Sequence, residues 1–138
     1  MDLAQPETEF RRWCEAQTTG RYERVDGAIV DMAPERGAHL RVKRAIYKAL
    51  DRAVIDAGVP CQALPDGATV ETGDSDYEPD ALVNCGDPMA DDAIAAPNPV
   101  IIVEVLSPSM TSTDTGGKLA DYFSVPSVVH YLIVHPTR

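Results

Sequence analysis

The chain reads as an α/β (α+β) domain in which helices flank one central mixed β-sheet, and three observations carry that reading. The first is period-two alternation in short segments, clearest in "RYERVDGAIVDM" (21–32). The second is a long stretch of helical periodicity from Gly37 to Ala57. The third is the apolar run "PVIIVEVL" (99–106), followed by a second helical stretch and by another apolar run, "VVHYLIV" (128–134). Segments of period two and of period 3.6 interleave along one chain, which is the pattern of helices packed on a sheet.

The elements follow in order. Thr8 to Ala16 reads as a short helix, with Phe10, Trp13 and Cys14 at helical spacing on one apolar face. In the alternating segment Asp26-Gly27 supplies a two-residue hairpin turn. After Pro34 the long helix carries Val42, Ala45, Ile46, Ala49, Leu50, Ala53 and Val54 as its apolar stripe, and Gly58 and Pro60 end it. Strands are predicted near Cys61–Leu64 and Ala68–Glu71, then a polar loop, "TGDSDYEPD" (72–80). "DALVN" (80–84) is the next strand, and a connection from Gly86 to Pro99 leads into "PVIIVEVL". A helix is predicted from Thr113 or Asp114 to Phe123, with Leu119, Tyr122 and Phe123 facing inward, and "VVHYLIV" closes the order α-β-β-α-β-β-β-β-α-β.

Length and charge narrow the function classes. A chain of 138 residues fits one domain, residues 1–138, large enough to bury a core unaided by metals or disulfides. No apolar run reaches bilayer-spanning length and the polar start is not a signal peptide, so no membrane association and a cytoplasmic location are expected. Cys14, Cys61 and Cys85 are widely spaced and odd in number, as reduced thiols would be. The net charge of −10 argues against gripping nucleic acid over the whole surface. Phosphate would be repelled unless basic residues gather on one side or metal ions supply positive charge. Arg36, Arg41, Lys43 and Arg44, with Lys48 and Arg52 beyond, do cluster, and such a run is ordinarily a solvated helix face.

Glu104 is the anomaly, a carboxylate within an apolar strand, where glutamate is rarely buried unless paired. Strand parity puts Val100, Ile102, Glu104 and Leu106 on one face, and Asp80, Leu82 and Asn84 on one face of the preceding strand. If the two strands pair, Asp80 and Glu104 point into the same space. Taken singly, Glu104 reads as a carboxylate paired with an arginine or capping a backbone group, and Asp80 as a turn residue bonded to backbone. Taken together they form a site: two carboxylates crowded away from water repel unless a cation joins them, and Mg²⁺ or Mn²⁺ suits oxygen ligands.

Other polar residues have plainer readings. Asp74, Asp76, Glu78 and Asp80 recur with period two, but Gly73 and Pro79 favour an irregular loop, leaving Asp74 and Asp76 solvated. Ser107 and Ser109 shape the turn after the strand, and no histidine lies in sequence to pair with either as a nucleophile. Asp114 and Lys118, four apart, suit a surface salt bridge.

"RYERVDGAIVDM", "GAHLRVKRAIYKAL", "YEPDALVNCG", "VIIVEVLSPS", "KLADYF" and "HYLIV" together resemble the Uma-type family of restriction endonucleases, small bacterial proteins placed in the PD-(D/E)xK nuclease superfamily. The resemblance runs from about Arg21 to Val134, and its most specific parts are Pro79-Asp80, "EVLSPS", and the spacing of Lys118 and Tyr122. It implies a restriction-endonuclease-like core, a Mg²⁺- or Mn²⁺-dependent endonuclease, DNA as substrate and a homodimer as one assembly. It makes Asp80 and Glu104 catalytic metal ligands, with the Val105 backbone carbonyl a third. The superfamily lysine two residues past the acidic ligand is Leu106 here, and the resemblance assigns its role to Lys118 from the following helix. That role is to orient or deprotonate the attacking water and offset phosphate charge. His39 and Tyr122 would line the cleft, and His39, at a helix start, equally suits a local hydrogen bond. Relatives continue past the strand matching His130–Val134 with a hairpin and tail, so C-terminal strands of the sheet are expected to be missing. Two rival readings stand beside this one: an inactive nuclease fold kept as a binding or regulatory module, and a dimerisation domain whose Glu104 is paired internally.

Overall fold

The computed structural model describes residues 6–107 and 112–136. In chain order they form α1 (Pro6–Ala16), β1 (Tyr22–Val25), β2 (Ala28–Asp31), α2 (Gly37–Ala57), β3 (Cys61–Pro65), β4 (Val70–Glu71), β5 (Asp76–Tyr77), β6 (Ala81–Cys85), β7 (Pro99–Val105), α3 (Ser112–Phe123) and β8 (His130–Val134). The α+β class holds. The strands nonetheless divide into two four-stranded sheets, β2-β1-β5-β4 and β3-β6-β7-β8, where one central sheet was predicted.

The cause of the division lies in the segment that reads as a polar loop. Its Asp76 is not solvated but 1% exposed, and its carboxylate accepts a hydrogen bond from Arg24 Nε at 2.6 Å. The same guanidinium donates to the carbonyls of Asp74 and Gly73. This buried pair draws the loop alongside β1 as strand β5, in register Arg24↔Asp76. Asp74 itself stays exposed. The β1–β2 turn is the one predicted, with φ of 48° at Asp26 and 83° at Gly27, the left-handed values a tight hairpin demands. Gly58 ends α2 in the left-handed conformation, its N–H donating to the Ile55 carbonyl.

Helix α2 packs along β3 and reaches β6 and β7. Val42, Ile46, Leu50 and Val54 of the predicted stripe are half-buried against the sheet, whereas Ala45, Ala49 and Ala53 are exposed. Lys43, grouped in sequence with a solvated basic face, is the buried residue of this helix. Helix α3 crosses between the parallel strands β7 and β8. Tyr122 is fully buried, but Leu119 and Phe123, predicted inward, are 44% and 46% exposed. The side of α3 that meets the sheets is set by Lys118 and Tyr122, one turn apart, so their neighbours fall on the flanks. The side chains of Ser109 and Asp114 lie outside the described residues.

The core lies between the two sheets. Val70 and Tyr77 of one meet Leu82 and Ile102 of the other, with Tyr122, Ala68, Ala96 and Val128 closing around them. Each fully buried aliphatic side chain contributes roughly 1.5–3 kcal/mol. No helix among the described residues is long and apolar enough to cross a membrane.

Cysteine chemistry departs from expectation. Cys61 and Cys85 stand opposite each other in the β3–β6 ladder and form a disulfide, leaving Cys14 free. A separation of 24 residues hid this, because strand register alone made the two sulfurs neighbours. Thiol titration in denaturant should therefore find one reactive thiol without reductant and three after reduction; three from the start would show that the bond does not form.

Candidate active site

The β6–β7 register builds the first half of the site. Leu82 pairs with Ile102 and Ala81 with Val103, and Asp80 enters beside β7 immediately before these pairs. Asp80 is tied to β7 twice: its N–H donates to the Val103 carbonyl at 3.0 Å, and its Oδ2 accepts from the Val105 N–H at 2.6 Å. Glu104 is 4% exposed, on the face it shares with Ile102. Both carboxylates line one cleft, on the side that strand parity predicted.

Helix α3 supplies the second half. Lys118 Nζ donates to Glu104 Oε2 at 2.7 Å and lies 3.6 Å from Glu23 Oε1. Its amine also sits 5.2 Å from the centre of the Tyr77 ring. One turn on, the Tyr122 hydroxyl donates to the same Glu104 oxygen at 3.3 Å. Tyr122 lies beneath Glu104, wholly buried, and not on the cleft wall as the resemblance implied. Between them, Asp121 accepts from the Tyr77 hydroxyl and from Ser75 Oγ, which fastens the helix to β5 and its approach. Leu106 lines the cleft and brings no charge.

Helix α2 brings groups that sequence reasoning missed. Lys43 Nζ donates to Glu35 Oε1 and Asp66 Oδ2, each at 2.6 Å, and lies 3.5 Å from Asp80 Oδ1. His39 lines the cleft as expected. Its Nε2 is 2.7 Å from the Val105 carbonyl oxygen and 3.8 Å from Asp80 Oδ2. Its Nδ1 is 2.7 Å from Glu35 Oε1, outside hydrogen-bonding angle. Arg21 holds Asp66 with two bonds of 3.0 and 2.9 Å and Glu78 with a third. A signal did exist for the α2 set: Glu35, His39 and Lys43 recur every fourth residue, a polar row beside the apolar stripe. Glu23 and Asp66 had no such signature.

These groups open on a cleft of about 2070 Å³ lined by nine carboxylates and only four Lys or Arg side chains. Burial pushes the Glu104 carboxyl up to about 7, even though Lys118 pulls it down. Burial likewise raises Asp80 and Glu23, with the Val105 N–H and Lys118 respectively as the main opposing influences. Burial alone would lower Lys118, but Glu104 and Glu23 outweigh it and hold the amine charged.

The donor set fits a divalent cation. Asp80, Glu104 and the Val105 carbonyl offer hard oxygens, and His39 adds one imidazole. Ligand atoms of Glu35, His39 and Asp80 also lie within 4.8 Å of one another. The ammonium groups of Lys118 and Lys43 stand against Glu104 and Asp80, so positive charge already has a place beside each carboxylate.

The Glu104 shift has a definite sign in stability. Its carboxyl is raised on folding, so its contribution is fully present below about 4.5 and is lost as pH rises through about 7. The shift corresponds to roughly 3 kcal/mol at most. Glu104→Gln should gain on wild type in thermal melting as pH goes from 4.5 to 7.5; a difference constant with pH would show that Glu104 ionises normally.

Comparisons with known proteins bear on the family and the fold. Residues 8–138 match the model of the Uma2 family, described as "Putative restriction endonuclease". An uncharacterized Synechocystis protein, sll1609, is 26% identical over 122 residues, covering 87% of this chain and 69% of that protein. The crystal structure of "a putative nuclease belonging to DUF820" from Anabaena variabilis superposes with a TM-score of 0.64 at 17% identity, over 88% of this chain and 71% of that one. At that identity the likeness speaks for a shared nuclease-like fold. With the family match spanning nearly its whole length, the chain belongs to the Uma2 family.

Proposed function

We propose that this protein is a Mg²⁺- or Mn²⁺-dependent endonuclease that hydrolyses DNA phosphodiester bonds with an activated water. The observation that carries the proposal is the convergence of Asp80 and Glu104 on one cleft, with the Lys118 amine already on Glu104. Asp80, Glu104 and the Val105 carbonyl would hold the ion, with His39 beside them. Bound there, it would polarise the phosphate and lower the pKa of its water. Lys118 takes the part that Leu106 cannot: its charged amine orients the water and offsets charge on the phosphate. Tyr122 fixes the Glu104 carboxylate from below. A cleft this rich in carboxylates repels phosphate, and metal loading is the way its charge is made compatible with DNA. The chain acts as one nuclease domain in the cytoplasm, where its substrate lies. Cutting both strands calls for two sites, so a homodimer belongs to this reading.

One observation favours a second reading, an inactive nuclease fold serving as a binding module: Lys43 and Lys118 neutralise Asp80 and Glu104 with no ion required. A dimerisation domain with Glu104 held by an arginine is not favoured, because the partner of Glu104 is Lys118.

Plasmid cleavage with Mg²⁺ or Mn²⁺ against an EDTA control separates the two readings. Wild type should nick or cut DNA. Asp80→Ala and Lys118→Met should lose about 100-fold or more. Millimolar Mn²⁺ should raise the melting temperature of wild type and barely move Glu104→Gln. No cleavage and no ion-dependent melting shift in wild type would establish the inactive module.

A further inference from the structure

Lys118 has a second carboxylate that the nuclease reading does not use. Glu23 reaches it from β1, in the opposite sheet to Glu104, so the amine bridges the two sheets. Glu23 is 8% exposed, and one of its oxygens is occupied: Oε2 accepts the Glu78 N–H at 2.7 Å. Its other oxygen, Oε1, faces Lys118 at 3.6 Å. The carboxylate is therefore held in place by backbone and presents one oxygen to one cation.

We infer that Glu23 is a positioning residue, the anchor that keeps the Lys118 amine in the cleft once Glu104 turns its oxygens to a metal ion. The inference rests on the nuclease reading above. An ion on Glu104 draws charge from the oxygen that now accepts from Lys118 and repels the ammonium, so the half-buried amine needs a second counter-charge to stay in the cleft. The Tyr77 ring, 5.2 Å away, supplies a weak electrostatic partner but no hydrogen-bond acceptor of the required strength. Glu23 is the remaining carboxylate in contact with the amine among the described residues. With the Glu78 N–H on one oxygen and Lys118 facing the other, it acts through the lysine.

The test uses the full chain. Glu23→Gln keeps the acceptor for the Glu78 N–H, removes the charge, and should melt within a few degrees of wild type. It should lower kcat by about 10- to 100-fold, leave KM and Mn²⁺ affinity within about twofold, and cause no further loss in a Lys118→Met background. A residue of purely structural importance would give losses that add across the two sites. Additive losses, an unchanged kcat, or a matching fall in Mn²⁺ affinity would each overturn the inference. Independently of activity, a crystal structure of wild type with Mn²⁺ should show the Lys118 amine hydrogen-bonded to Glu23; an amine swung out to solvent would also overturn it. Absence of any Mn²⁺ binding or cleavage in wild type would instead remove the nuclease reading and this inference with it.

Discussion

A carboxylate on the buried face of a central strand needs positive charge within reach, and the architecture around β7 answers that need. Glu104 stands on the face that closes the core between the two sheets, one step from Ile102. Left alone, its ionised form would face a desolvation cost that a protein interior does not tolerate. Lys118 meets it from α3, and that contact ties the helix to the sheet at one defined rotation. The Tyr122–Glu104 and Tyr77–Asp121 hydrogen bonds then fix the same helical turn from two sides. The rotation of α3, the exposure of Leu119 and Phe123, and the shape of the cleft all follow from keeping one amine beside one carboxylate.

The same logic repeats on the other side of the cleft. Asp80 is bracketed by backbone N–H donation from Val105 and by the Lys43 amine, which also gathers Glu35 and Asp66. Two lysines from two helices thus face two carboxylates from two strands. Such a cluster is nearly satisfied without any ion, because each carboxylate has an ammonium in contact. It is also unbalanced, since its carboxylates outnumber its cations. The excess negative charge is what the proposed metal would offset.

Much of the fold was legible. The hairpin at Asp26-Gly27, the limits of α2 and the strands β6, β7 and β8 follow from turn chemistry and periodicity that act within a few residues. That Asp80 and Glu104 face one cleft was legible too, because side-chain alternation along a strand is rigid. The roles of Lys118 and His39 came from the family resemblance. Taken alone, Lys118 looked like half of a surface salt bridge. Lys43 was misread because a basic run in a helix looks alike whether one member turns inward or none does. Asp76 was misread because nothing near it in sequence announces Arg24, which lies 52 residues away.

By itself, then, the sequence determined the local elements and the parity of the strands, and with them the face on which Glu104 had to lie. It also carried the net charge of −10, which makes bare phosphate binding unfavourable. Only the tertiary structure decided which charges meet: Arg24 with Asp76 across one sheet, Lys43 among Glu35, Asp66 and Asp80, Lys118 between Glu104 and Glu23, and Cys61 bonded to Cys85. The physical reason is range. Periodicity and turns arise from backbone geometry a few residues long, whereas an ion pair or a disulfide depends on register and helix rotation, which the packing of distant segments sets.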